Sequence, residues 1–91
     1  MTKSEKIKSL HKILWVKEDV DDNNKTEITQ EVLNSCISNC IIRFSGVDMD
    51  VSLRSKILET LNGMLLCGNN LTHEQVRSAI LGLMNDVNRT E

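Results

Sequence analysis

The sequence predicts an all-α protein: a short N-terminal helix plus a three-helix module that pairs as a helical-bundle homodimer. Three observations predict it. Apolar residues recur at steps of three and four, not in alternation. Proline is absent and glycine is confined to four positions. Candidate capping sequences stand ahead of the apolar runs. At 91 residues the chain is one domain, 1–91. A chain this short buries only roughly 60% of its unfolded surface, and self-association relieves that deficit.

The first helix is expected over residues 4–17, capped by Ser4, with Ile7, Leu10 and Leu14 as its stripe. Ile13, Trp15 and Val16 widen that apolar surface, and Trp15 is the single tryptophan. Residues 18–26 read as an acidic linker, centred on the run DVDDNN. The helical core follows at 27–88. Asn24-x-x-Glu27 resembles a capping box for the second helix. Its stripe of Ile28, Val32, Leu33, Cys36, Ile37, Cys40, Ile41 and Phe44 suits a buried bundle helix. It is expected to end at Ser45-Gly46, with Gly46 left-handed. The third helix begins at Asp50 or Ser52 and lines Leu53, Ile57, Leu58, Leu61, Met64 and Leu65 along one face. Gly63 inside it suggests a close helix approach or a fray point. Gly68 reads as the residue after the helix end. Thr72-x-x-Gln75 is a capping box for the fourth helix, with Leu71 and Val76 as its hydrophobic staple. Val76, Ala79, Ile80, Leu83, Met84 and Val87 form the buried face.

The net charge is −2 but unevenly spread. Lys3, Lys6, Lys8, Lys12 and Lys17 face only Glu5 in the first segment. Glu18, Asp19, Asp21, Asp22, Glu27 and Glu31 then face only Lys25. Lys3, Lys6, Lys8 and Lys12, with Trp15 nearby, form a candidate partner-binding arm. The adjoining acids repel phosphate, so DNA is a disfavoured partner.

No enzyme is expected. Cys36 and Cys40, one turn apart on an apolar stripe, read as small hydrophobes rather than metal ligands, because no second close ligand pair accompanies them. His11 and His73 fall at exposed helix positions, which leaves no Cys/His catalytic pair. Asp48-Met49-Asp50 lacks the rest of a calcium loop and reads as a turn and cap. No cofactor is implied. The longest uncharged run, Val32 to Ile42, is too short and polar to span a bilayer. No secretory signal is visible, and the expected location is cytoplasmic. What remains is protein–protein binding. Ile42, Leu66 and Leu81 lie off the main stripes and suit burial in a dimer.

QEVLNSCISNCII, then Gly46 with a short polar turn, SLRSKILETLN and QVRSAILGLM lie between Gln30 and Met84. Together they resemble the YmgB/AriR family of small two-component-system connectors and biofilm and acid-resistance regulators. Leu61-Asn62 stands where that family has Leu-Glu, the turn after Gly46 is one residue short, and the loop Cys67–Leu71 is longer. The resemblance implies an all-α homodimer that modulates a bacterial phosphorelay by protein contact, its partner a sensor kinase or response regulator. The expected dimer and core residues are Val32, Leu33, Cys36, Ile37, Cys40, Ile41, Phe44, Leu53, Ile57 and Leu61. DNA binding has been attributed to a member, but the charge count here does not support carrying it over. Two alternatives fit the composition: a helical inhibitor from a mobile element or phage (antitoxin, immunity protein or antagonist of a defence complex), and a DNA-binding regulator.

Overall fold

A computed structural model describes residues 2–23 and 27–90, with the side chains of residues 21–23, 27–29 and 69 outside the description. Among the described residues every regular element is helical: α1 Lys3–Asn23, α2 Glu27–Ser45, α3 Val51–Cys67 and α4 His73–Thr90, with a single 3-10 turn at Gly68–Asn70. None is long and apolar enough to cross a membrane.

α1 starts earlier and ends later than the sequence suggests. Its cap is Thr2, not Ser4: the Glu5 amide donates to Thr2 Oγ1 at 3.1 Å, and that hydroxyl donates to Glu5 Oε1. At the other end the helix runs on to Asn23, so residues 18–23 are helix rather than linker. Aspartate and asparagine are poor helix formers, but Val20 packs against the core and extends the stripe of Ile13 and Val16. Packing overrides propensity here. The proposed Asn24 cap lies outside the described residues.

α2 closes without a left-handed glycine. Gly68, at φ +56°, is the sole positive-φ glycine described, so Gly46 is not one. Ser45 Oγ instead donates to the Ile41 carbonyl at 2.7 Å, and the Val47 amide reaches back to Phe44. The Asp50 carboxylate accepts from the Leu53 amide at 3.0 Å and starts α3. Gly63 marks neither a close approach nor a fray: α3 continues to Cys67, and a Cβ placed at Gly63 meets nothing within 4 Å. The α4 capping box is reciprocal. Thr72 Oγ1 accepts from the Gln75 amide, and Gln75 Oε1 accepts from the Thr72 amide.

α1 lies along both α4 and α2, α2 lies along α3, and α3 and α4 meet over a shorter stretch. The result is a four-helix arrangement 37 Å long and 19 Å across. Its axis holds Leu10, Ile13, Leu33, Ile37, Phe44, Ile57, Leu61, Val76, Ile80, Leu83 and Val87, each under 2% exposed. The first helix is therefore an integral wall of the bundle, not an arm. At the α3/α4 edge, Asp86 is buried and bridges Lys56 at 2.5 Å and Arg89 at 2.6 Å.

Candidate functional site

The residues expected at a dimer or core interface separate into two groups. Leu33, Cys36, Ile37, Cys40, Phe44, Leu53, Ile57 and Leu61 are buried within the single chain. Ile41 is half-buried and Val32 is 53% exposed. Nine of the ten, Ile41 included, therefore pack into or against the chain's own core, and Val32 is the one left exposed. The basic set divides too. Lys3, Lys8 and Lys12 are exposed and Trp15 is 61% exposed, whereas Lys6 is buried. Lys6 faces inward because it occupies the same side of α1 as Leu10 and Ile13.

The two histidines are less exposed than expected. His11 is half-buried and its ring lies 4.6 Å from that of Trp15, one turn along α1. His73 opens α4, but its Nε2 is buried without a hydrogen-bond partner. Among the described residues, no three His, Cys, Asp or Glu side chains cluster closely enough to hold a metal ion.

The most distinctive site is a groove between α1 and α2. The helices run antiparallel there: Cys40 meets Ser9, and Lys12 acts on Cys36. The groove has a volume of about 300 Å³, and its lining includes Ser9, Lys12, Cys36, Cys40 and Arg43. A second hollow of about 290 Å³ shares Ser9, Lys12 and Arg43 and adds Glu5 and Lys8. Among the described residues lining the two hollows, three cations thus stand against one carboxylate.

Local geometry fixes the polar groups. The Cys40 thiol donates to the Ser9 carbonyl at 3.3 Å, and Arg43 Nη1 donates to Ser9 Oγ at 3.3 Å. The one Cys40 proton is shared: besides the Ser9 carbonyl, it makes a side-chain hydrogen bond to the Cys36 sulfur. That bond holds the Cys36 thiol down to about 7, with Lys12 adding to the effect and burial opposing it. The same bond, with burial, pushes Cys40 strongly upward, so Cys40 is the member that keeps its proton. Of the three cysteines, Cys36 and Cys40 are buried and Cys67 is exposed, and all are free thiols.

Helical periodicity places both cysteines on an apolar stripe, and both are indeed buried. It gives no sign that Lys12 and Arg43 flank them, because that depends on how α1 is set against α2. Chemically, the groove can attract an anion and present one activated thiol to it.

Comparison with family models, with curated proteins and with solved structures gives no match to this chain.

Proposed function

We propose that this protein is a non-enzymatic regulatory module that acts by protein–protein contact, in the manner of the bacterial two-component connectors its sequence resembles. One observation carries the reading. The bundle completes its own core, yet Trp15, Val32, Ile42, Val51 and Leu66 remain more than half exposed. Exposed apolar side chains are ordinary singly. Here, however, Trp15 and Val32 fall at about the same level of the antiparallel α1/α2 pair, and Ile42 adjoins Arg43 at the groove. Apolar anchors beside Lys8, Lys12 and Arg43 suit a partner surface that is itself apolar with an acidic rim. A sensor kinase or response regulator is the partner class the resemblance implies. A second copy of the chain would use the exposed Val32 rather than the buried cysteines and leucines.

The test is a pull-down from a lysate of the source organism, with and without nuclease, using the wild type and a Trp15→Ala/Lys12→Glu variant. Nuclease-resistant capture of a signalling protein, lost in the variant, supports the reading. Capture abolished by nuclease, or capture of a toxin or defence protein instead, overturns it. Sedimentation over a concentration series, compared with Val32→Glu, reports the oligomeric state separately.

A further inference from the structure

We propose that the α1/α2 groove is a thiol–disulfide exchange site, in which Cys36 forms a mixed disulfide with a small disulfide that carries carboxylates. The inference goes beyond partner binding and does not depend on it.

Four features converge on one place. Cys36 lines a groove open to solvent, though only 9% of its own surface is exposed. Its neighbour Cys40 is protonated and anchored on the Ser9 carbonyl, so it can donate a hydrogen bond but is a poor competing nucleophile. Lys12 and Arg43 flank the thiols, and Lys8 extends the positive lining along the same groove. Among the described lining residues the one opposing carboxylate is Glu5, in the adjoining hollow and absent from the lining around Cys36. Core packing alone explains burial of the thiols, but not their placement at the floor of a cationic cleft.

In the reaction, the Cys36 thiolate attacks one sulfur of the incoming disulfide. A new S–S bond forms to Cys36 as the original S–S bond breaks. The released thiolate leaves with the electron pair and takes a proton from solvent. No external oxidant is needed, because the small disulfide is itself reduced by one thiol equivalent. Lys12 and Arg43 hold the carboxylates of the incoming molecule and favour the attacking thiolate. Cys36 and Cys40 sit a full turn apart on one regular helix, an unfavourable geometry for a direct disulfide between them. The mixed disulfide is therefore the end product.

The experiment treats the full chain with oxidised glutathione at neutral pH, quenches with acid and maps the adducts by peptide mass spectrometry. Cys36 is expected to be modified before Cys67, although Cys67 is the exposed thiol. Lys12→Ala and Arg43→Ala, both surface substitutions, should slow the Cys36 adduct several-fold, with circular dichroism confirming the fold. With the neutral bis(2-hydroxyethyl) disulfide that slowing should be much smaller. A Cys67 adduct that forms first overturns the proposal. So does Cys36 modification that is indifferent to both cations and to the charge of the disulfide.

Discussion

The carboxylate of Asp86 on α4 meets the ammonium of Lys56 on α3 at 2.5 Å, joining two helices that otherwise touch over a short stretch. Asp86 itself is buried while Lys56 is largely exposed, so the carboxylate is the member held in place. The Lys56 hydrogen bond, with the charges of Lys56 and Arg89, keeps the Asp86 carboxyl below its usual range, against the opposing effect of burial. The folded chain therefore binds fewer protons at this site than the unfolded chain does. Its contribution is fully present above the unfolded carboxylate value, about pH 4. It is lost as pH falls through the lower folded value. Asp86→Asn should accordingly lower the melting temperature at pH 7 and lower it less as the solution is acidified. Equal losses at pH 7 and pH 3 would contradict this.

Truncating the core should cost far more than truncating the surface. Ile57 is fully buried and Leu66 is 89% exposed, on the same helix. Ile57→Ala should destabilise by about 2–5 kcal/mol. Leu66→Ala should change stability by no more than about 0.5 kcal/mol. Urea titration followed by circular dichroism distinguishes them.

Two glycines should respond in opposite directions to alanine. Gly68 ends α3 at φ +56° and ψ −129°, a conformation L-residues avoid. Gly68→Ala should cost about 1–3 kcal/mol through the backbone alone, since a Cβ there meets nothing within 4 Å. Gly63 lies inside α3 with the same open space around it. Gly63→Ala should stabilise by about 0.5–1 kcal/mol. Thermal melts of both variants give the signs directly.

The start of α4 offers a paired test. Thr72→Ala removes the hydroxyl that accepts from the Gln75 amide at 3.2 Å and should cost about 1 kcal/mol. His73→Leu, next in sequence, removes the buried and unpartnered Nε2. It should leave stability unchanged or raise it, because no hydrogen bond is lost with that atom. A loss at His73 as large as that at Thr72 would show that Nε2 has a partner in solution.

The groove thiol should titrate early. Alkylation of Cys36 by iodoacetamide should rise with pH through a midpoint near 7, well below the ordinary 9.0. The Cys40 hydrogen bond is the main cause, so Cys40→Ala should move the midpoint upward. Lys12→Ala should move it the same way by less. Site-resolved alkylation rates across pH 5–10 measure all three.

Legibility from sequence varied with how local the determining physics was. α4 was readable almost whole, because its cap, staple and stripe all lie within one stretch of chain. Yet the role of Asp86, which interrupts the apolar steps at Leu83 and Val87, is not legible, because its partner Lys56 lies thirty residues away. Thr2-x-x-Glu5 is a capping box within the sequence itself, two residues ahead of the weaker candidate Ser4. The end of α1 is hidden in the sequence because acidic residues mark linkers by composition, while Val20 carries the helix onward by packing. The groove was the least legible feature. Cys36 and Cys40 announce themselves only as apolar, and their cations come partly from another helix.

Closure of the bundle by α1 against α4 bears on biosynthesis. α1, made before the other three helices described, has one of its two main neighbours in α4, made after them. Until α4 emerges, the side of α1 that carries Leu10 and Ile13 can pack only against α2. An emerging chain therefore presents an incompletely covered apolar surface on the ribosome, of the kind that recruits chaperones. The α1/α4 pairing also raises the mean sequence separation of contacts above that of a hairpin-only helical stack. Folding should slow accordingly, since distant segments must meet before their contacts stabilise anything.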